Sequence, residues 1–579
     1  MAKKAATKKK VTAKKKATSE KKPTATKSFE QTLWDTADKL RGSVESSEYK
    51  HVVLSLIFLK FVSDRFESRR QSIIDDGKAD YVDMVEFYTM QNVFYLPEGS
   101  RWSTIVKLAK QDDISIRIDS ALHAVEKNNP SLKGALPDNY FSRMGIDVAK
   151  LAALIDSINN INTIQDSEED VVGRVYEYFL GKFAATEGKG GGEFYTPKCV
   201  VNLIAEMIEP YSGKIYDPCC GSGGMFVQSV KFVQNHSGNQ KDISIYGQEQ
   251  TSTTYKLAKM NLAIRGISGN LGEVPADTFF KDQHPDLKAD YIMANPPFNL
   301  KAWRGPDELS DDPRWSGYDV PPTGNANYGW ILHMISKLSE NGVAGFVLAN
   351  GSMSTSTSGE GAIRQKIIEN DLVDCMIALP GQLFYTTQIP VCLWFLTKSK
   401  QARTISRLGA SPGSVGKTTT PGSATRTISR LGDSPGSVGK KTGASAQTAN
   451  IKHRKRIGET LFIDARNHGT MLDRTHKELT ETDIAEIAKT YHAWRGEAKD
   501  GDYADKPGFC KSSTLDDIKA NDYVLTPGRY VGAAAIEDDG IPFETTMTDL
   551  TTTLYQQMED AQKLDMAIRK NLEALGYGK

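Results

Sequence analysis

Residues 214–226 read Lys-Ile-Tyr-Asp-Pro-Cys-Cys-Gly-Ser-Gly-Gly-Met-Phe. A short apolar run, Ile215 and Tyr216, stops at Asp217-Pro218; glycines follow at 221, 223 and 224, and Met225 to Val233 then carries an apolar pattern of helical period. Strand, glycine turn and helix in that order predict the first crossover of a nucleotide-binding α/β sheet, where a backbone without Cβ atoms approaches a ligand closely. A glycine turn alone also serves plain helix capping, so a second signal is needed.

Residues 289–298, Ala-Asp-Tyr-Ile-Met-Ala-Asn-Pro-Pro-Phe, supply it. Two prolines cannot continue a central strand, so the chain leaves the sheet there. Ligands of open α/β sheets bind at the carboxyl ends of strands, which brings Asn295 to the same edge as the glycine turn. The exocyclic amino group of adenine or cytosine is a poor nucleophile because its lone pair is delocalised into the ring. If the Asn295 side-chain oxygen and the Pro296 carbonyl accept its two N–H bonds, the nitrogen turns pyramidal and aims its lone pair at an electrophile. Phe298, after Pro297, offers a face on which a flipped base stacks. A sulfonium methyl donor needs no metal, and none is expected.

Upstream, a glycine-rich stretch over 186–192 leads into Glu193-Phe194-Tyr195-Thr196-Pro197-Lys198. Phe194 and Tyr195 suit covering an adenine or methionine moiety, and Thr196-Pro197 reads as a cap and first-turn proline for a helix over 198–208. After the glycine turn, a strand over 243–247 ends at Gln248-Glu249; a carboxylate there is where a ribose diol is held, which singles out Glu249. Asp277 is a further acceptor for an adenine amino group.

These motifs together resemble amino-group DNA methyltransferases: residues 217–224 look like the S-adenosylmethionine loop and Asn295, Pro296, Pro297 and Phe298 like the catalytic tetrapeptide. Residues 192–197 are similar to the second cofactor-contacting motif in the modification (methylase) subunits of type I restriction-modification systems. The likeness runs from about Phe29 to the C-terminus. It implies a doubly wound S-adenosylmethionine-dependent methyltransferase sheet of α/β class, with an N-terminal helical domain and a C-terminal helical tail. It further implies S-adenosyl-L-methionine held by Glu193 to Lys198, Asp217, Gly221, Ser222, Gly223, Gly224, Glu249 and Asp277, and methyl transfer to adenine N6 in DNA. The implied partners are a specificity subunit, a second methylase subunit (two methylases to one specificity subunit) and a restriction motor subunit.

Charge agrees with dependence on a partner. The 579 residues carry 72 basic and 72 acidic groups, but residues 1–27 alone hold eleven Lys and one Glu. Without that tail and residues 401–456, 50 basic groups face 70 acidic ones. A protein that binds DNA unaided presents a basic face, since phosphate contacts supply most of the affinity. Six cysteines show neither zinc spacing nor a disulfide framework. Apolar runs such as Val52 to Leu59 are too short to span a bilayer, so a soluble, cytoplasmic protein without membrane contact is expected.

The chain divides by composition into a disordered Lys-rich tail (1–27), a helical domain (28–184), a catalytic domain (185–475) and a C-terminal region (476–579). The resemblance implies that the helical domain helps clamp DNA and sense its methylation. Residues 404–417 recur at 427–440 with one change, Ala410 becoming Asp433, within a Ser, Gly, Thr and Pro-rich stretch over 400–450. It is expected to be a disordered insertion between two strands, longer than the family's usual connection. Leu554, Met558, Ala561, Leu564, Ile568, Leu572 and Leu575 make one apolar stripe on a helix over 550–575, which suits a partner helix. A self-sufficient adenine methyltransferase of DNA or RNA, a glutamine methylase and a catalytically idle DNA-binding subunit are the rivals. A dinucleotide oxidoreductase is excluded because the turn lacks Gly-x-Gly-x-x-Gly.

Overall fold

The computed structural model describes residues 34–35, 38, 46–160, 178–179, 196–236, 238–384, 389–408, 448–497, 500–533 and 543–575. Its first part is helical, built on α1 (Ser46–Asp75), α2 (Ile114–Asn128) and α3 (Val148–Asn159). Asp147 caps α3 by accepting from the Lys150 amide at 3.0 Å, as a residue with a short acceptor side chain does at a helix start. Between residues 160 and 196 of the helical domain expected over 28–184, only Tyr178 and Phe179 are among the described residues.

The remainder is organised by a nine-stranded sheet. Its strands are β1 (Gly213–Asp217), β2 (Ile243–Gly247), β3 (Gly269–Asn270), β4 (Ala289–Ala294), β5 (Leu338–Ala349), β6 (Val373–Ala378), β7 (Val391–Thr397), β10 (Glu459–Asp464) and β13 (Cys510–Thr514). Between β7 and β13 in sequence lie β8 (Arg403–Leu408), β9 (Thr448–His453), β11 (Thr470–Met471) and β12 (Lys477–Glu478), which form separate ribbons. The spatial order is β3-β2-β1-β4-β5-β7-β6-β10-β13. Strands β3 to β5 are parallel, while β7 runs antiparallel between β5 and β6. Every residue of β6 and β7 is buried, which accounts for their largely apolar sequences; the one charge, Asp374 of β6, is paired with Arg456.

Helices α4 (Lys198–Ile208) and α5 (Gly224–Asn235) pack on one face of the sheet, together with α9 (Glu481–Arg495). The other face holds α7 (Asn327–Lys337), α8 (Glu360–Glu369) and the segment around Leu525 and Tyr530. Side chains alternate between the two cores: Ile215 and Leu393 on the first, Tyr216 and Trp394 on the second. Helix α6 (Ser252–Ile264) belongs to two cores at once. Tyr255, Ala258 and Leu262 join the sheet's core, while Leu257, Met260 and Ile264 are part of the core of the N-terminal helices.

The stretch expected to be disordered over 400–450 differs at both ends. Strands β8 and β9 pair antiparallel over six positions, from Arg403 opposite His453 to Leu408 opposite Thr448. β-Branched residues at Thr404, Ile405 and Ile451 favour that ladder despite the polar composition around them. The first repeat thus begins inside a strand; residues 409–447 lie outside the described residues, as does the tail over 1–27. Helix α10 (Phe543–Ala574) closes the chain. Leu550, Leu554, Met558, Leu564, Ile568, Leu572 and Leu575 are all exposed along it and just past its end. No helix among the described residues is long and apolar enough to cross a membrane.

Candidate functional site

Parallel strands diverge in connection at β1, with β2 and β3 to one side and β4 and β5 to the other; this opens a crevice at their carboxyl ends. Asp217 ends β1, is 2% exposed and accepts from the Cys219 amide at 3.0 Å. Burial pushes its carboxyl up to about 7, with the nearby Glu249 charge adding to the rise. Gly221 and Gly223 adopt φ of +53° and +80°, the left-handed region that other side chains rarely occupy. Cβ atoms added at Gly221 or Gly224 would meet nothing within 4 Å, whereas one at Gly223 would touch Leu262 and Ala258 of α6. The turn therefore faces open space on one side and packed helix on the other.

The turn is held from several directions. The Gly221 amide donates to Glu249 Oε2 at 3.0 Å and the Thr251 amide to Oε1 at 2.8 Å. Asn261 of α6 donates to the Ser222 carbonyl at 2.7 Å, and the Thr278 hydroxyl to the Pro218 carbonyl at 2.6 Å. Asp277 lies beside Thr278, and its Oδ1 accepts from the Phe279 amide at 2.7 Å. Gln248, fully buried, donates to the carbonyls of Ala276 and Lys281 and accepts from the Gln283 amide. It staples the segment carrying Asp277 to the end of β2. The sequence marks Gln248 only by its place before Glu249.

Arg314 closes this wall from the polar loop after the tetrapeptide, donating to the carbonyls of Thr278 at 3.1 Å and Phe279 at 2.6 Å. It also donates to His333 Nδ1 at 3.2 Å, which leaves Nε2–H of the neutral ring to meet the Tyr216 hydroxyl 3.0 Å away. Burial, with Arg314 and Lys337 adding their charges, drives the His333 pKa well below its usual value. Spacing gave no sign of Arg314 or His333, because each acts on residues far away in sequence.

On the other side of the crevice, Asn295 follows directly from β4 and is 9% exposed. Its Nδ2 donates to the Thr196 hydroxyl at 2.9 Å, and its buried Oδ1 has no hydrogen-bond partner among the described residues. Pro296 is buried, and Pro297 and Phe298 are half-buried. The Phe298 ring packs edge-on against Phe384, centroids 5.8 Å apart. Asn299 takes φ of +53° and exchanges two hydrogen bonds with Asn327 of α7, at 3.0 and 2.9 Å. That reciprocal pair fixes the chain as it leaves the tetrapeptide.

Thr196 does not cap α4 as expected. Pro197 occupies the N-cap position, where no side chain bonds the first amides, and the threonine is one residue too early to reach them. Lys198, the first residue of α4, is exposed. Glu193, Phe194 and Tyr195 lie outside the described residues. The structure therefore brings Asp217, Gly221 to Gly224, Glu249 and Asp277 to one wall of the crevice, and Thr196 beside the tetrapeptide. All six cysteines are unbridged.

The sequence matches the family model described as N-6 DNA Methylase over residues 167–411 and 435–539, and the HsdM N-terminal domain over 29–158. It is 45% identical over 491 residues to the methylase subunit of type I restriction enzyme HindI from Haemophilus influenzae, covering 83% of this chain and 95% of that one. It is 36% identical to the MjaIX methylase subunit of Methanocaldococcus jannaschii, over 95% and 92% of the two chains. Among solved structures, a type I restriction-modification methyltransferase subunit from Streptococcus thermophilus shares the fold with a TM-score of 0.65 at 21% identity, over 87% of this chain and 99% of that one.

Proposed function

This chain belongs to the N-6 DNA methylase family, among the methylase subunits of type I restriction enzymes, and from that premise we infer the chemistry of its crevice: methyl transfer from S-adenosyl-L-methionine to adenine N6 at Asn295. The observation that carries the assignment of the site is the buried acceptor Oδ1 of Asn295, with no partner among the described residues, at the carboxyl edge of β4.

The glycine wall fits the cofactor, since the turn at Gly221 to Gly224 leaves space where Cβ atoms would stand and a carboxylate, Glu249, lies beside it. Bound there, S-adenosyl-L-methionine supplies a methyl group on a sulfonium, activated without a metal. Glu249 and Asp277 would take its ribose and adenine, and Glu193, Phe194, Tyr195, Pro197 and Lys198 would cover it, with the Thr196 side chain turned to Asn295 instead. Asn295 Oδ1 and the Pro296 carbonyl accept the two N6 protons of a flipped adenine, while Phe298 stacks on the base. With the two N6 protons held by Asn295 Oδ1 and the Pro296 carbonyl, the nitrogen lone pair would face the methyl group. The donor would supply an electrophilic methyl and leave as a neutral thioether that keeps the C–S electron pair, and one N6 proton would pass to solvent. Asn295 stabilises the developing charge on nitrogen without itself titrating.

DNA sequence reading falls to a specificity subunit, supported by the excess of acidic groups in the body of the chain. The exposed stripe on α10 suits contact with that subunit, in an assembly of two methylases and one specificity subunit to which a restriction motor subunit joins. Residues 28–184 form the DNA-clamping helical domain, 185–475 the catalytic domain and 476–579 the assembly region, and the substrate implies a cytoplasmic protein.

The test is transfer of a labelled methyl group to DNA by the full chain, alone and with its co-expressed specificity subunit. Labelled adenine only in the assembly, reduced by at least about 100-fold in Asn295→Ala, is the expected result. Full labelling by Asn295→Ala would reject the site, and sequence-specific labelling by the chain alone would reject the division of labour.

A further inference from the structure

We propose that Thr196 is a positioning residue that holds the Asn295 carboxamide with its oxygen toward the target base; the proposal rests on the function inferred above. A carboxamide has an accepting end and a donating end of nearly the same size. Only one of its two orientations serves an amino-group substrate, because the N6 protons need an acceptor. The other would set Nδ2–H against N6–H.

The chain supplies one described side chain that distinguishes the two ends. The Thr196 hydroxyl lies 2.9 Å from Asn295 Nδ2, across 99 residues of sequence, while Oδ1 is buried without a partner. A hydroxyl accepts as well as donates, so what it provides is an anchor for whichever end does not face the base. With the amino group present, only the arrangement with Nδ2 on Thr196 pairs every donor. Among the described residues nothing else claims this hydroxyl: α4 begins two residues later, at Lys198, behind a Pro197 cap position that uses no side-chain bond. Proline there also fixes the backbone angle just beyond Thr196. The polar residue that a helix start would ordinarily use as a cap is thereby turned toward the end of β4.

Valine in place of Thr196 keeps the shape and removes the anchor, leaving the Asn295 Nδ2 buried without a partner and the amide without a preferred orientation. The full chain, assembled with its specificity subunit, is the system to measure, with cofactor affinity and single-turnover transfer read separately. In Thr196→Val the transfer rate at saturating cofactor is expected to fall roughly 10- to 100-fold, with the cofactor dissociation constant within about twofold of the parent. Thr196→Ser restores the rate. In the Asn295→Ala background, Thr196→Val adds no further loss. A weakened cofactor with an unchanged saturated rate would overturn the proposal and give the hydroxyl to the cofactor. So would an undiminished rate in Thr196→Val, or a serine variant as slow as the valine one. If Asn295→Ala itself transfers normally, the function reading fails first; if it is inactive and Thr196→Val is unaffected, only the positioning role fails.

Discussion

On the β1 and β2 side of the crevice, Gln248, Glu249 and Arg314 spend their hydrogen bonds on the chain itself; on the β4 side, Asn295 keeps an acceptor that no described residue uses. The first wall is finished before any ligand arrives, and the second is completed by the target. Pre-formed walls bind by shape at low ordering cost, whereas an unpaired buried acceptor costs stability until a donor meets it. Affinity for the methyl donor should therefore depend on the first wall and the rate on the second.

Arg314→Leu offers the harshest way to break that distinction. It strips donors from the Thr278 and Phe279 carbonyls and from His333, and leaves Asp312, whose side chain is 11% exposed, without its ion-pair partner. A loss of about 2–4 kcal/mol in stability is expected, with cofactor affinity falling at least about tenfold and the saturated transfer rate little changed. Denaturant melts and equilibrium binding read both quantities. A collapsed rate with intact affinity would move Arg314 to the target wall.

Gln248→Leu is milder, since it removes one staple and leaves two carbonyls and an amide unsatisfied near Asp277. About 1–3 kcal/mol is expected, again expressed in cofactor binding. Titration calorimetry on the variant checks it, and unchanged binding would mean that the Asp277 segment holds its place without β2.

The smallest effect concerns a proton. An ordinary aspartate ionises near pH 3.9, but Asp217 keeps its proton up to about 7. Its folded pKa is raised, so the stability this carboxyl lends is greatest in acid, declines as pH climbs from about 4 to 7, and is flat above. A bound cation reverses the preference for the neutral form, so cofactor binding near pH 6 should release part of a proton. Calorimetry in buffers of different ionisation enthalpy measures it, and Asp217→Asn should abolish it. Equal heats in all buffers for the parent chain would separate Asp217 from the cationic end of the ligand.

Sequence periodicity located the parts whose signals are local. Helix α4 and strand β2 have the bounds that their apolar patterns predict, and the glycine turn and tetrapeptide reach one sheet edge because strand direction dictates it. What escaped was relational. Thr196 looked like a cap because caps precede helices; its real partner is 99 residues away and becomes a neighbour only when β4 and α4 pack. Gln248, Arg314 and His333 carry ordinary spacing, and their importance comes from carbonyls that the fold presents to them. The β8 and β9 ladder was hidden by the low-complexity stretch that it brackets, since composition averages over the few residues that pair.

Helix α6 carries side chains of two cores on opposite faces and, through Asn261, holds the glycine turn. Neither core can melt without exposing the helix that seals the other. The N-terminal helices and the β1 end of the sheet should therefore unfold in a single heat-absorption peak and exchange their most protected amides at a common rate. Excising the helices would not free an intact catalytic fragment; it would leave a greasy stripe of Leu257, Met260 and Ile264 on its flank.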